Sequence, residues 1–519
     1  MEQQLALLTV AANTLWLLLG GFLVFFMQAG FALVETGFTR AKNVAHTMMM
    51  NMMVFSIGAI GYWICGFAFQ FGAVNYTYAE VGGNAAWAFS PLTLGSWTDA
   101  SGNALLASGL RLGDQIGVLG LSGFFLQGIP VSIAGIFAFF LFQMVFMDTA
   151  ATIPTGSGAE RIKFGGFVIM GFWVSMLIYP IIGNWVWGGG WLANLGRAFG
   201  LANGAVDFAG SGVVHMTGGA VGLAVAMVLG PRIGKFNADG SANTIAGHNI
   251  PMGILGTIIL FFGWFGFNPA SAIGLITPAV VDANGAVTTA ANAIPINLTS
   301  LAAVNTLLAG AASGMSAMLY MWFFGPTKKP SPSMSVNGIL AGLVAITAPC
   351  AFVDSWGAVI IGLVAGVLVC LATVWLERAK IDDPVGAVPV HFVNGVWGVV
   401  AVGVFAVGNP DTAGWNGTAS PVTGMVGFNY VQIIPQLFEV AAITIVAFGF
   451  SYVFFGALKR AGLLRSRAED ELAGLDMPEM GEHGYVADVP VPGGQVGSVP
   501  MPTYTAGAAA AMIAPNDPK

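Results

Sequence analysis

The chain has 519 residues, of which 56% are hydrophobic and only 8% are Asp, Glu, Lys or Arg. A soluble domain carries about 25% charged residues, so this composition excludes an ordinary soluble enzyme and a nucleic-acid-binding protein and indicates many membrane spans. The formal charge is −7, and residues 457–519 hold 13 of the 41 charged residues. Three cysteines lie far apart in the chain, and we interpret them as buried and reduced, with no disulfide framework and no metal site.

Eleven apolar stretches are each long enough to cross a hydrocarbon core of roughly 30 Å. Basic residues follow the odd-numbered stretches, so 15 of the 17 Lys and Arg residues lie on one side of the predicted membrane. Because basic loops remain in the cytoplasm, we expect a multi-pass protein of the cell (plasma) membrane with its N-terminus outside. The stretches are 12–36, 48–71, 122–147, 164–186, 208–230, 251–276, 297–324, 335–351, 356–376, 390–408 and 432–457.

The distribution of charge divides the chain into two parts. Residues 1–457 form the predicted transmembrane domain, and residues 458–519 form a cytoplasmic tail that begins with a charged helix. The end of the tail is rich in Pro, Gly and Ala, which predicts disorder from about residue 488.

Spans five and ten share one sequence skeleton, DFAGSGVVHMTGGAVG and DPVGAVPVHFVNGVWG. Asp207 and His215 match Asp383 and His391 in spacing, and two glycines follow each histidine at equal distances. The two spans run in opposite directions, which predicts an inverted repeat that relates spans 1–5 to spans 6–10. The two histidines should then meet near the middle of the membrane.

A histidine at membrane depth predicts a functional site. The alternative is a core histidine that bonds one helix to another, and the symmetric positions of His215 and His391 favour function. A metal site needs three or four ligands, and no Cys or Glu lies near either histidine in the sequence, so no metal is expected.

Aromatic and hydroxyl residues recur in two further segments, GWFGFNPASAIG and NWVWGGGW. Trp264, Phe267 and Ser271 share one helical face, and Trp187 precedes a run of three glycines. Aromatic faces bind cations, although such residues also serve as core packing or as a belt at the membrane interface.

Together these segments resemble the Amt/Mep/Rh ammonium transporters over nearly the whole chain. The resemblance implies an all-α polytopic protein with eleven transmembrane helices and a pore through each protomer. It also implies a homotrimer that has no cofactor and is not an enzyme. The segments that match are GFALVETGFTRAKN, the AERIKF loop, YPIIGNWVWGGG, DFAGSGVVH, GWFGFNPASA, DDPVGAVPVH and EDELAGLDMPEMGEHGY, and WVWGGG with GLD…EHG looks like the Amt branch.

The resemblance also implies roles for individual residues at the outer end of the pore. Trp187 would bind ammonium, or its analogue methylammonium, through a cation–π contact, and Ser271 would hydrogen-bond it. Phe146 would border this substrate site and stack on Phe267 to close the pore. Asp207 would support the site structurally without touching the ion.

Below this gate, the resemblance implies a hydrophobic lumen lined by Trp264 and by a hydrogen-bonded pair, His215 and His391. Ammonium would lose a proton, NH3 would pass through the lumen, and the uptake of nitrogen would be electrogenic overall. Two departures concern the surroundings of His391: Gly386 stands where the family often has Asp, and Phe392 stands where Gly is usual.

Asp148 replaces a residue that is usually small, and it lies two positions after Phe146. It either makes a hydrogen bond between helices or tunes the entry of ammonium or of a proton. Two alternatives to transport also remain at this point. An ammonium sensor usually carries a fused output domain, for which the tail is too short, and an Rh-like NH3/CO2 gas channel needs no cation site. The tail segment resembles the region through which PII signalling proteins regulate relatives.

Overall fold

The structure is a computed structural model that describes residues 2–73, 75–81, 84–90, 109–112, 117–129, 134–277, 280–281, 287–289, 292–490 and 496–500. Within these residues, ten helices are long and apolar enough to cross a membrane, and an eleventh apolar helix is shorter, with 16 residues. Named α1 to α11 in chain order, they span Leu7–Phe38, Ala41–Phe71, Gly135–Gly158, Phe164–Val186, Ser211–Leu229, Ile250–Ala270, Ile294–Phe323, Pro332–Thr347, Ser355–Arg378, Val388–Phe405 and Ile433–Arg460.

Short elements join and follow these helices. Two further α-helices are Leu195–Phe199 and Ala468–Ala473. Within the described residues, four two-stranded antiparallel sheets pair Asn75–Val81 with Asn84–Ser90, Gly109–Arg111 with Gly117–Gly120, Val280–Val281 with Val287–Thr289, and Val486–Pro490 with Val496–Pro500. Single 3₁₀ turns lie at Ala41–Asn43, Phe124–Leu126, Pro410–Thr412, Trp415–Gly417 and Met425–Gly427. π-Helical segments lie at Tyr62–Gly66, Val174–Ile178, Ser211–Met216, Val388–Val393, Thr444–Phe450 and Asp476–Met480.

The predicted eleven-helix fold is confirmed, since a helix coincides with each predicted span, but the predicted bounds of the third span were wrong. That span was placed at 122–147, whereas α3 ends at Gly158. Nearly half of α3, the segment DTAATIPTGSG at its end, is rich in Thr, Ser and Asp. The helix continues because its hydroxyls find partners inside the bundle: the Thr152 hydroxyl bonds the carbonyl four residues earlier and the Gln28 amide oxygen, and that of Thr155 bonds Glu35.

Glycines hold the two repeated helices, α5 and α10, in backbone contact. A Cβ atom on Gly219 would lie 2.3 Å from the amide nitrogen of Phe392, and one on Gly395 would lie 2.9 Å from the amide nitrogen of Met216, the residue that corresponds to Phe392 in the repeat. No side chain fits at either point, so these small residues permit the close crossing. The reciprocity of the two contacts is what an inverted repeat requires.

At the face where the odd-numbered helices end, which we call the tail face, buried charges pair with one another. The Arg232 guanidinium donates to the carboxylates of Asp382, at 2.8 and 2.9 Å, and of Glu160, at 3.0 Å. Burial alone would raise the pKa of Asp382, but the hydrogen bonds from Arg232 and the charge of Arg161 outweigh it and lower the pKa to about 2. This network ties the loops after α3, α5 and α9 together.

The start of the C-terminal tail is docked on the tail face. The Asp476 carboxylate accepts the backbone N–H of His46 at 3.0 Å, and the Asn43 side chain accepts the backbone N–H of Leu475 at 2.9 Å. The boundary of the tail at 457/458 and its regulatory role stay predictions. The predicted disorder falls largely on residues 491–495 and 501–519, which lie outside the described residues.

Candidate functional site

A vestibule of about 330 Å³ opens at the face opposite the tail face, where α4 and α6 end. Trp187 and Ser271, which lie just beyond the ends of these two helices, both line it, and Phe146 of α3 lies against it as well. The structure therefore brings together three residues that are far apart in sequence. Their neighbours in the wall include Gln143, Phe208, Trp415 and Asn13.

The Trp187 indole is fixed at its polar end. Its Nε1–H donates to the backbone carbonyl of Asp207 at 2.7 Å, and its ring centroid lies 6.1 Å from that of Phe146. Because the indole N–H is already hydrogen-bonded, the ring presents its π surface, which is the part that attracts a cation.

Asp207 holds the start of α5 in place. Its carboxylate oxygens accept four successive backbone N–H groups, those of Gly210, Ser211, Gly212 and Val213, at 2.7–3.0 Å. Since its side chain is fully buried in these bonds, Asp207 acts on the vestibule only through its carbonyl and the helix that it caps.

The Ser271 hydroxyl donates to the carbonyl oxygen of Phe267 at 2.9 Å. Its hydrogen is thereby used, and the hydroxyl oxygen keeps lone pairs that can accept a hydrogen bond from a donor in the vestibule. A cation that donates hydrogen bonds fits this arrangement better than an anion does.

Two stacked rings form the floor of the vestibule. The centroids of Phe146 and Phe267 lie 3.9 Å apart with planes inclined by 19°. Both side chains are buried, and Phe146 lines the vestibule, so the vestibule ends where this pair begins.

The two repeated histidines meet below the ring pair. Their Nδ1 atoms are 3.2 Å apart, and the His215 ring lies 5.3 Å from Phe267 and 5.1 Å from Trp264. His215 is 0% exposed and His391 5% exposed. Each sits in a π-helical segment, a distortion often found at functional sites. A bond between two Nδ1 atoms requires one ring to donate and the other to accept.

Among the described residues, no group of three or more His, Cys, Asp or Glu is arranged to hold a metal ion. The Nε2 atom of His215 has no hydrogen-bond partner within this part of the chain. The pair is therefore a polar element in otherwise apolar surroundings.

Asp148 is not brought to the ring pair. Two residues along an α-helix correspond to a rotation of about 200°, so its side chain lies on the face opposite Phe146. That face carries Thr152 and Thr155, which contact α1. The Asp148 Oδ1 atom is buried without a partner in the described structure.

The two departures near His391 have different surroundings. Gly386 has φ +80°, and a Cβ atom there would lie 2.5 Å from the Asn337 side-chain nitrogen. An aspartate would be strained at this position. Phe392 contributes the backbone nitrogen that contacts Gly219, so its side chain is not what sets the helix crossing.

Several wall residues were missed by the sequence analysis. Gln143 lies one helical turn before Phe146, and Phe208 follows Asp207, so proximity to a predicted residue was an available signal for both. Trp415 comes from the 3₁₀ turn at Trp415–Gly417, and its indole contacts Phe208 at a centroid distance of 4.9 Å. No motif marked it.

Comparison with known proteins identifies the family. The family model for the Ammonium Transporter Family matches residues 15–485. The chain belongs to this family. Ammonium transporter Amt2 of Archaeoglobus fulgidus is 41% identical over 479 residues, which cover 91% of this chain and 87% of that protein. A putative ammonium transporter of Synechocystis is 34% identical over 92% of this chain and 90% of that protein.

Solved structures of family members share the fold. A structure titled Sensor Amt Protein aligns with a TM-score of 0.71 and 33% identity over 91% of this chain and 99% of its own. Mep2 of Candida albicans aligns with a TM-score of 0.70 and 25% identity over 91% and 90%. The resemblance drawn from the sequence motifs is thus confirmed, as is membership of a family of transporters rather than enzymes.

Proposed function

We propose that this protein is an ammonium transporter that takes NH4+ from the vestibule, removes a proton and passes NH3 along the histidine-lined lumen. One observation carries the proposal: the Trp187 ring, the stacked pair of Phe146 and Phe267, and the hydrogen-bonded pair of His215 and His391 follow one another from the vestibule inward. In this orientation, the tail face is the cytoplasmic face of the cell membrane.

Recruitment of NH4+ follows from the cost of removing its water. A cation that enters an apolar pore loses hydration free energy that must be replaced. The Trp187 ring offers a π surface, and the Ser271 oxygen offers an acceptor because its own hydrogen is bound to Phe267. Potassium benefits from the ring but donates no hydrogen bond, so the hydroxyl favours ammonium.

Loss of a proton follows from the ring pair and the histidines. An apolar passage closed by Phe146 and Phe267 favours neutral NH3 over a charged ion. Two adjacent imidazoles in apolar surroundings cannot both carry charge at low cost, so the pair shares one hydrogen bond and relays a proton between His215 and His391. Ammonia and a proton then travel by separate routes, which makes transport electrogenic and excludes K+, since K+ has no proton to lose.

Assembly and regulation are further parts of the proposal. Many large apolar side chains on the spans are exposed, such as Phe22, Phe262 and Leu437. Lipid and neighbouring protomers of a homotrimer would cover them. The docked tail offers a cytoplasmic surface for a PII signalling protein.

The test is to record ammonium-evoked currents in proteoliposomes, with K+ as the control. Transport predicts a current with ammonium and none with K+. An ammonium sensor, the alternative favoured by the likeness to the structure titled Sensor Amt Protein, predicts binding without current. An Rh-like gas channel predicts a rise in luminal pH without current, and the cation-directed geometry of Trp187 and Ser271 argues against it.

A further inference from the structure

A second, smaller cavity lies below the histidine pair, toward the tail face. His391 and Glu35 both line it, and apolar side chains such as Phe31, Val34 and Leu260 form much of the remaining wall. Its volume is about 20 Å³, and a cavity needs roughly 10–15 Å³ to hold one water molecule. The cavity therefore has room for one molecule of the size of water or ammonia.

Glu35 is held in this wall by neutral donors. Its side chain is 3% exposed. The Asn51 amide donates to it at 2.8 Å, and the Thr155 hydroxyl lies 2.8 Å from both of its carboxyl oxygens. Among the described residues, no Lys or Arg forms an ion pair with it. A carboxylate without a cation is costly in an apolar wall, so a cation formed in the cavity would find a counter-ion there.

The other titratable groups near Glu35 do not supply that cation. His391 lines the same cavity. Asp383 is an acidic residue and supplies no positive charge, and its carboxyl group accepts the backbone N–H of Val388 at 2.7 Å. Glu35 supplies the carboxyl group in the wall of the cavity, so it is placed to act as the counter-ion of a positive ion there.

We propose that Glu35 donates a proton to NH3 at the inner end of the pore and then acts as the counter-ion of the NH4+ formed. The inference rests on the proposed function. The nitrogen lone pair takes the carboxyl proton, so that an N–H bond forms, an O–H bond breaks and its electron pair stays on the carboxylate. NH4+ leaves at the tail face, and the carboxylate regains the proton that the substrate lost in the vestibule and that the histidines relay.

The experiment compares wild type with Glu35→Gln and Glu35→Asp in proteoliposomes, and varies the luminal pH at constant external pH. Glu35→Gln keeps the size of the side chain but cannot donate a carboxyl proton. The matched control is Glu377→Gln, which removes one negative charge at the tail face outside the cavity, where Glu377 pairs with Lys235.

We expect Glu35→Gln to lower the maximal current about ten-fold or more, since proton transfer by a positioned group contributes about 10²–10⁴ to a rate. The ammonium concentration for half-maximal current should stay within about two-fold of wild type because the vestibule is untouched. The current should also depend less on luminal pH. Glu35→Asp should restore much of the current, and Glu377→Gln should match wild type.

A Glu35→Gln protein with wild-type maximal current and wild-type dependence on luminal pH would overturn the assignment of Glu35. If that variant does not yield folded protein, Glu35→Asp decides: a shifted luminal pH profile supports the proposal, and an unchanged profile overturns it. Absence of an ammonium current in wild type would instead overturn the proposed function, so the two failures are distinguishable.

Discussion

Replacing Asp207 with Asn tests the link between the start of α5 and the vestibule. The carboxylate accepts two N–H groups at each oxygen, whereas an amide has one accepting oxygen and a donating NH2 group. Two of the four N–H groups therefore lose their acceptor and face another donor. A hydrogen bond to a charged group contributes about 1.5–3 kcal/mol, so the loss is about 3–6 kcal/mol if the helix start does not rearrange.

That loss can be measured as a change in the thermal unfolding midpoint of the detergent-solubilised protein. The entropy of unfolding is about 2.1 cal/mol/K per residue, which for a chain of 519 residues means about 1 °C for each kcal/mol. The expected decrease is about 3–6 °C. The affinity for ammonium should also fall, because the Asp207 carbonyl holds the Trp187 indole.

The control is Asp239→Asn. Asp239 also accepts a backbone N–H, from Ser241, but in an exposed loop, so this variant should keep the wild-type midpoint. If Asp207→Asn also keeps the wild-type midpoint, the four hydrogen bonds do not stabilise the fold as argued.

Further predictions concern the pore and the tail face. Trp187→Leu removes a cation–π contact worth about 1–2 kcal/mol, so the ammonium concentration for half-maximal current should rise about five- to thirty-fold; an unchanged concentration dependence would show that this indole is not in the site. His215→Asp and His391→Glu place a negative charge in the lumen and should conduct K+, whereas rejection of K+ together with wild-type ammonium currents would leave the histidines as packing residues. Asp148→Asn should leave the pH profile of transport unshifted because the side chain faces away from the ring pair, and a shifted profile would assign the carboxylate to ammonium or proton entry. The pKa of Asp382 is lowered to about 2. Its negative charge therefore stabilises the fold at pH values above its ordinary pKa near 4, and this stabilisation should be lost as the pH falls from about 4 to 2. Asp382→Asn should unfold at a lower temperature than wild type at pH 7, and the difference between the two unfolding temperatures should shrink in that acid range.

The sequence predicted the helices and the meeting of the histidines because both depend on patterns that a single chain contains. Apolar length marks a span, and the repeat of Asp207 and His215 at Asp383 and His391 marks two related positions. The inversion then follows from the alternation of basic loops.

What the sequence did not predict depends on contacts between distant segments. The polar end of α3 has the composition of a loop. It is helical because its threonines find hydrogen-bond partners in α1, about 120 residues earlier in the chain. Glu35 lies inside the quoted motif GFALVETGFTRAKN, yet nothing in that motif shows that Glu35 lines the same cavity as His391. Trp415 reaches the vestibule from a loop with no periodic pattern.

The docked tail has a consequence for any protein that binds there. Because residues 468–485 belong to the same chain as the surface they cover, they behave as a tethered ligand with an effective concentration of about millimolar or above. A partner that needs this surface or the released tail must compete with that internal ligand, so its measured affinity understates the strength of its own contacts. Substitutions at Asn43 or Asp476, which hold the tail, would strengthen the binding of such a partner because they weaken the internal ligand that competes with it.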